Sequence, residues 1–349
     1  MNSSTLQWVY DNSGPILRYL CARDFPGQLA HDELPVLRQA MWQCAEVTKW
    51  LNLLGDGPVH HSVDNSLENL LFKLTQFGLE RDCPDFDARC QQIIAKYIAG
   101  AGGYTSSAQS WKFHSMNQLM AFLIMAGYGE HPDIQQRMRH DLQAIHETAV
   151  AENYRFYLDA DELEGLPKAW VGKNIYRPEF SCHNARLPNL QFLRAWNYLP
   201  QDADTSAKLA QIVGYFLDPR FQLNPKAYGW ERELRRCWSG SRAHLTGYFG
   251  FDAEEFEPGK LIYQLEVLAA YPVARQSEWY TRMMAHLEEF KTARGSYQLP
   301  SSYLVEAKSR YYFHGARMGL GENRRSKTAL ELEGTFRIFR LLGKNAVTA

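Results

Sequence analysis

Two stretches of this 349-residue chain carry charge that the whole does not. From Pro219 to Gly250 six basic residues stand against two acidic ones, a local charge of +4. From Thr292 to Leu330 seven stand against two, a charge of +5, in a chain whose net charge is -1. Both stretches interleave aromatics, with Tyr228, Trp230 and Trp238 in the first and Tyr303, Tyr311, Tyr312 and Phe313 in the second. A guanidinium forks onto an oxyanion and an aromatic face covers an apolar or ring-shaped body, so the two segments together would suit a small amphipathic anion. The expected binding residues are Trp238 and Arg242 from the first stretch and Arg310, Tyr311, His314, Arg317, Arg324, Arg325 and Lys327 from the second, with Arg186 upstream. Replacing Arg324 and Arg325 together by Gln is expected to weaken anion binding and to leave stability nearly unchanged.

Proton transfer has its own candidates. The tetrad Asp159-Ala160-Asp161-Glu162 crowds three carboxylates, and like charges raise one another's pKa, which makes Asp161 a candidate acid. His183, beside Asn184 and Arg186, and His244 are candidate acid–base groups because imidazole titrates near neutrality. No glycine-rich phosphate cradle, HExxH or GxSxG pattern occurs.

Composition bounds the setting for this chemistry. At 45% hydrophobic and 22% charged residues the chain is globular in type. Its near-neutral charge gives no general attraction to nucleic acid. There is no run of 18 apolar residues, so no membrane span is expected. Six cysteines without a CxxC pair read as reduced thiols, the expectation for a cytoplasmic protein.

The elements that must position these residues repeat. Leu67 to Leu79 places apolar residues at helical spacing and ends in a glycine turn, and Pro84-Asp85 restarts a second helix through Ile93. The same plan recurs at Leu119–Ala126 with a restart at Pro132, at Leu190–Trp196 with a restart near Asp204, and at Leu261–Leu268 with a restart at Ser277. A last helix runs from Leu332 to Leu342, and upstream helices open at Gly14-Pro15 and Leu34-Pro35. Equivalent helix ends lie 49, 70, 73 and 71 residues apart, longer steps than those of the common solenoids. No linker-like composition interrupts the series, so residues 1–349 are expected to form one all-α domain of repeated helical hairpins. Leu70, Leu123, Leu193, Leu265 and Phe336 are the expected equivalent core positions.

Hairpins whose first helix reads Asn189-Leu190-Gln191-Phe192-Leu193-Arg194-Ala195-Trp196, and a closing helix reading Leu330-Glu331-Leu332-Glu333-Gly334-Thr335-Phe336-Arg337, resemble the terpenoid cyclase and protein prenyltransferase toroids. The resemblance runs over most of the chain from about Pro15 and lies in helix pattern and spacing. It implies an α/α toroid, a ring of inner and outer helices around a pocket, with the long segments gathered at one mouth. It also likens the tetrad to the Asp-x-Asp-Asp acid of class II terpenoid cyclases, with Glu162 in the fourth place. The prenyltransferase zinc set of Asp, Cys and His has a partial counterpart in Cys182 and His244, 62 residues apart, but Phe180 stands where the Asp belongs. No metal or other cofactor is therefore expected.

Three functions remain open on this reading. One is binding or transformation of an amphipathic anion such as an isoprenoid diphosphate. Another is an α/α-barrel lyase or hydrolase acting on acidic sugars, with His or Tyr as base and Arg on the carboxylate. The third is a scaffold that presents a peptide-binding face. Oligomeric state is not legible.

Overall fold

Each helix–turn–helix unit expected from apolar spacing is present, and the turn residues account for where each unit bends. A computed structural model describes residues 3–29, 34–100, 110–164, 166–180, 186–224, 228–231, 235–239 and 243–346. The helices are α1 (Ser3–Asn12), α2 (Pro15–Asp24), α3 (Leu34–Trp42), α4 (Ala45–Leu53), α5 (Leu67–Gln76), α6 (Pro84–Ile93), α7 (Ser110–Leu123) and α8 (Pro132–Val150). They continue as α9 (Ala160–Leu163), α10 (Leu190–Trp196), α11 (Ala203–Phe216), α12 (Pro219–Gln222), α13 (Pro258–Leu268), α14 (Pro272–Arg275), α15 (Glu278–Glu288) and α16 (Ala329–Ala346). Proline opens α2, α6, α8 and α13, where its missing N–H is no loss. Side-chain oxygens cap α10 (Asn189), α11 (Asp202) and α15 (Ser277). Gly78, at φ +85°, turns the chain after α5 and seats it against α2, where a Cβ would come within 2.7 Å of the Arg23 guanidinium.

The chain is 58% helix and 3% strand, an all-α protein as its periodicity predicts. One small sheet was not expected. Asn174–Ile175 (β1) runs parallel to Tyr228–Glu231 (β2), which pairs antiparallel with Arg235–Ser239 (β3). Gly229 permits this pairing, since a Cβ there would lie 1.8 Å from the Tyr176 ring. Four short residues of alternation are too few to stand out in the sequence beside long helical repeats.

Two kinds of helix result. Every residue of α5 and of α10 is buried, as is α13 from Lys260 onward, whereas α8, α11 and α15 bury one face only. The three buried helices pack in sequence with α7, α16 and α2: α5 on α7, α7 on α10, α10 on α13, α13 on α16, and α16 on α2. One hydrophobic cluster extends from Leu6 to Leu341. Leu70, Leu123, Leu193, Leu265 and Phe336, the five expected equivalents, are each 0% exposed. Truncating any of them to Ala is expected to cost about 2 to 5 kcal/mol through the cavity left behind, measurable by denaturant unfolding. Among the described residues no helix is long and apolar enough to cross a membrane.

Candidate functional site

A helix buried on all sides must satisfy every polar side chain it carries, and α5 does so by fastening two loops to itself. Asn69 Nδ2 donates to the carbonyls of His61 and Val63 (3.1 Å each) and Arg310 (3.3 Å), while its Oδ1 accepts from the Tyr312 N–H at 3.1 Å. Lys73 Nζ donates to Glu306 at 2.7 Å and to the Gly319 carbonyl at 2.7 Å. Burial holds the Lys73 pKa below the ordinary lysine value in spite of the Glu306 carboxylate. These bonds set the segment from Val59 to Asp64 and the segment from Arg310 to Gly319 side by side at the amino-terminal end of α5.

The pairing brings together a His–Glu dyad. Glu68, 0% exposed, holds His60 Nδ1 at 2.6 Å, and the His60 side chain is 26% exposed. A carboxylate can only accept, so Nδ1 carries a proton. The imidazole stacks on Tyr311 (centroids 4.8 Å, interplanar 24°), which stacks in turn on Phe313 at 5.0 Å. His314 closes the cluster, 4.7 Å from Phe313. Tyr312, Phe313 and His314 form a single 3-10 turn ended by Gly315 at φ +75°. Only glycine fits there, because a Cβ would lie 1.7 Å from the Gly259 carbonyl oxygen at the start of α13.

Of the residues expected from the sequence, Tyr311 and His314 belong to this cluster. Arg317 lies behind it. It is 2% exposed and its Nη2 reaches Asp64 at 2.7 Å and the carbonyls of Ser62 and Arg310 at 3.4 Å. Its guanidinium therefore joins the two loops. Arg310 has an exposed side chain, as have Arg325 and Lys327. Arg324 is ion-paired with Glu333, which is 0% exposed. Burial pushes the Glu333 carboxyl above its ordinary pKa despite that neighbour.

The Glu333 pair makes Arg324 a stability residue, contrary to the expectation that its loss would spare the fold. Arg324→Gln is expected to lower unfolding free energy by about 1 to 3 kcal/mol, since a buried acceptor loses its donor. Arg325→Gln is expected to stay within about 0.5 kcal/mol. Thermal or urea unfolding of the two single variants separates these outcomes.

The remaining expected residues lie apart. Asp161 is exposed on α9, where Asp159 and Glu162 form a reciprocal cap. Ligand atoms of Asp159, Asp161 and Glu162 lie within 4.8 Å of one another, but Arg155 and Arg177 pair with Asp159 and Arg177 also with Glu162. The Arg177 hydrogen bond draws the Glu162 pKa down, the reverse of the rise that crowded carboxylates would give. His244 is 7% exposed, with Nε2 2.5 Å from the Asn224 carbonyl and its own carbonyl accepting from Gln264. Its place is in the packing between the end of α12 and α13. Arg186 stands 3.7 Å from Glu147 on the surface of α8. His183, Cys182 and Arg242 lie outside the described residues, and Trp238 is placed by its backbone in β3, opposite Gly229.

His60 and Glu68 were not foreseen. Eight residues separate them, and Glu68 follows the first apolar residue of an ordinary amphipathic pattern, where a solvated charge is the usual reading. Comparison of the chain with protein-family models, curated proteins and solved structures finds no match.

Proposed function

We propose that this chain is an α/α-toroid enzyme that transfers protons at the mouth of its ring, a lyase acting on an acidic sugar. On this reading α2, α5, α7, α10, α13 and α16 are the inner helices, and the amino-terminal ends of α5 and α13 border the mouth. The observation that carries the proposal is the His60–Glu68 dyad stacked on Tyr311. A buried carboxylate fixes the imidazole tautomer and stabilises the imidazolium formed when Nε2 takes a proton. Tyr311 and His314, both partly exposed, supply ring faces of the kind that cover a sugar.

Elimination is favoured over hydrolysis by the kind of groups present. Glycoside hydrolysis generally uses two carboxyl groups about 5 to 9.5 Å apart across the bond that breaks. Here the one carboxylate of the dyad is committed to His60. In the elimination, Nε2 takes the proton from the carbon beside the carboxylate. That electron pair forms a carbon–carbon double bond, the bond to the departing sugar oxygen breaks, and water protonates that oxygen. The isoprenoid diphosphate reading is weakened because two of the five expected cations of the Thr292–Leu330 stretch, Arg317 and Arg324, are already ion-paired with Asp64 and Glu333.

Incubation of the purified protein with polyuronates, neutral glycans and prenyl diphosphates, analysed by mass spectrometry, tests the proposal. Unsaturated uronate products are expected. Products from a prenyl diphosphate alone, or none from any class, would count against it, the latter favouring a scaffold.

A further inference from the structure

Among the described residues, one cation on the buried helices forms no ion pair of its own. Arg194 of α10 is 4% exposed and lays its guanidinium against the rings of Phe72 and Tyr263, 5.1 Å from each centroid. Its Nε meets the Met125 sulfur at 3.1 Å, a weak acceptor, and its buried Nη1 has no acceptor among the described residues. The neighbouring cations are matched. Arg337 pairs with Glu266 at 2.5 Å, Arg340 with Asp24 at 3.0 Å and Lys73 with Glu306 at 2.7 Å. Glu266 feels Arg337 first and Arg194 only as the third of three arginines. Two aromatic faces offset part of the cost of burying a guanidinium, but they do not satisfy its N–H groups.

We infer that Arg194 is the anchor for the carboxylate of a small ring-bearing acid. A single guanidinium forks onto a carboxylate and by itself falls short of neutralising a diphosphate. Glu68 and Phe72 occupy one face of α5, a helical turn apart, so the level of the dyad and the level of Arg194 differ by about 6 Å of rise. In this assignment the carboxylate of the acid meets Arg194 and the carbon bonded to it faces His60. The assignment rests on the reading of His60 as the base, and it names the group that makes the adjacent proton acidic.

Calorimetry on the full chain with galacturonate, galactose, benzoate and inorganic phosphate tests it. Galacturonate is expected to bind and galactose to bind at least about 30-fold more weakly, the scale of a buried charge-assisted contact. Benzoate binding as tightly as galacturonate would support the anchor and remove the sugar from the proposal. Arg194→Met should weaken galacturonate by a similar factor, and Arg194→Lys, which keeps the charge, by less. The unliganded Met variant is expected to melt at or above the unmodified protein, because an unsatisfied buried charge has gone; a purely structural arginine would lower it. Unchanged galacturonate affinity in Arg194→Met, or binding of phosphate but of neither carboxylate, would overturn the inference. The two proposals fail separately. Arg194-dependent binding without turnover removes only the base, and His60-dependent turnover indifferent to Arg194→Met removes only the anchor.

Discussion

His60→Ala is expected to lower kcat/KM on the uronate substrate by about 100- to 10,000-fold, the contribution of a positioned general base. Glu68→Gln should cause a loss of similar size although the imidazole remains. An amide in place of the Glu68 carboxylate can donate to Nδ1, which moves the ring proton to Nε2 and removes the lone pair that accepts from substrate. His60→Ala also takes the donor from Glu68, which is 0% exposed, so a stability loss of about 1 to 3 kcal/mol is expected beside the rate loss, and rates are to be read well below the melting temperature of the variant. Steady-state rates set against melting temperature make the comparison. Rates within about twofold of the unmodified protein for both variants would reduce the dyad to a loop fastening.

Arg337→Met is expected to give the largest loss of stability, about 3 to 5 kcal/mol, because it leaves Glu266 buried without its ion-pair partner. Arg337 is 0% exposed and joins three elements through Glu266 of α13 (2.5 Å), Gln76 of α5 (3.2 Å) and the Met318 carbonyl (2.5 Å). The double variant Arg337→Met, Glu266→Met should recover much of the loss, as apolar residues replace a desolvated pair. The pH dependence follows from the sign of the Glu266 shift. Desolvation raises its pKa, but Arg337, Arg340 and Arg194 together outweigh it, so the folded value lies below the unfolded one. The stability Glu266 contributes is therefore present above the unfolded carboxyl value and is lost as pH falls through the folded value. In Arg337→Met the desolvation is less opposed and protonation relieves it, so the gap between variant and unmodified protein should narrow on acidification. Urea unfolding across neutral to acidic pH reads both effects. A gap that is constant or widens would show that the Glu266 charge is not what the variant disturbs.

The helical repeat was legible because burial imposes it on the sequence. Leu70, Leu123, Leu193, Leu265 and Phe336 all sit in the core, since a helix that packs must repeat its apolar residues every three or four positions. Turn chemistry located the hairpins for the same reason, as at Gly78 and at the proline starts of α6 and α8. The site was less legible. The excess positive charge in Thr292–Leu330 marks the segment that brings Tyr311 and His314 to the His60 cluster. Yet a charge count cannot see that Arg317 and Arg324 meet Asp64 and Glu333, which are distant in sequence or hidden in a helix. Glu68 and Arg194 were missed because a one-faced amphipathic pattern was assumed for helices that are buried all round. In such a helix the polar residues are the informative ones, since each must have a partner or a ligand.

The crystal structure of Glu68→Gln with a galacturonate oligosaccharide tests the central claim most directly, because this variant keeps His60 in place while turnover is slowed. The expected result is a sugar ring over Tyr311 with the carbon that bears the abstracted proton within about 3.5 Å of His60 Nε2, the separation of a reactive pose. A ligand ordered elsewhere, for example on Trp170 and Trp230, whose rings lie 6.3 Å apart beside Lys173, would contradict the assignment of His60 as the base.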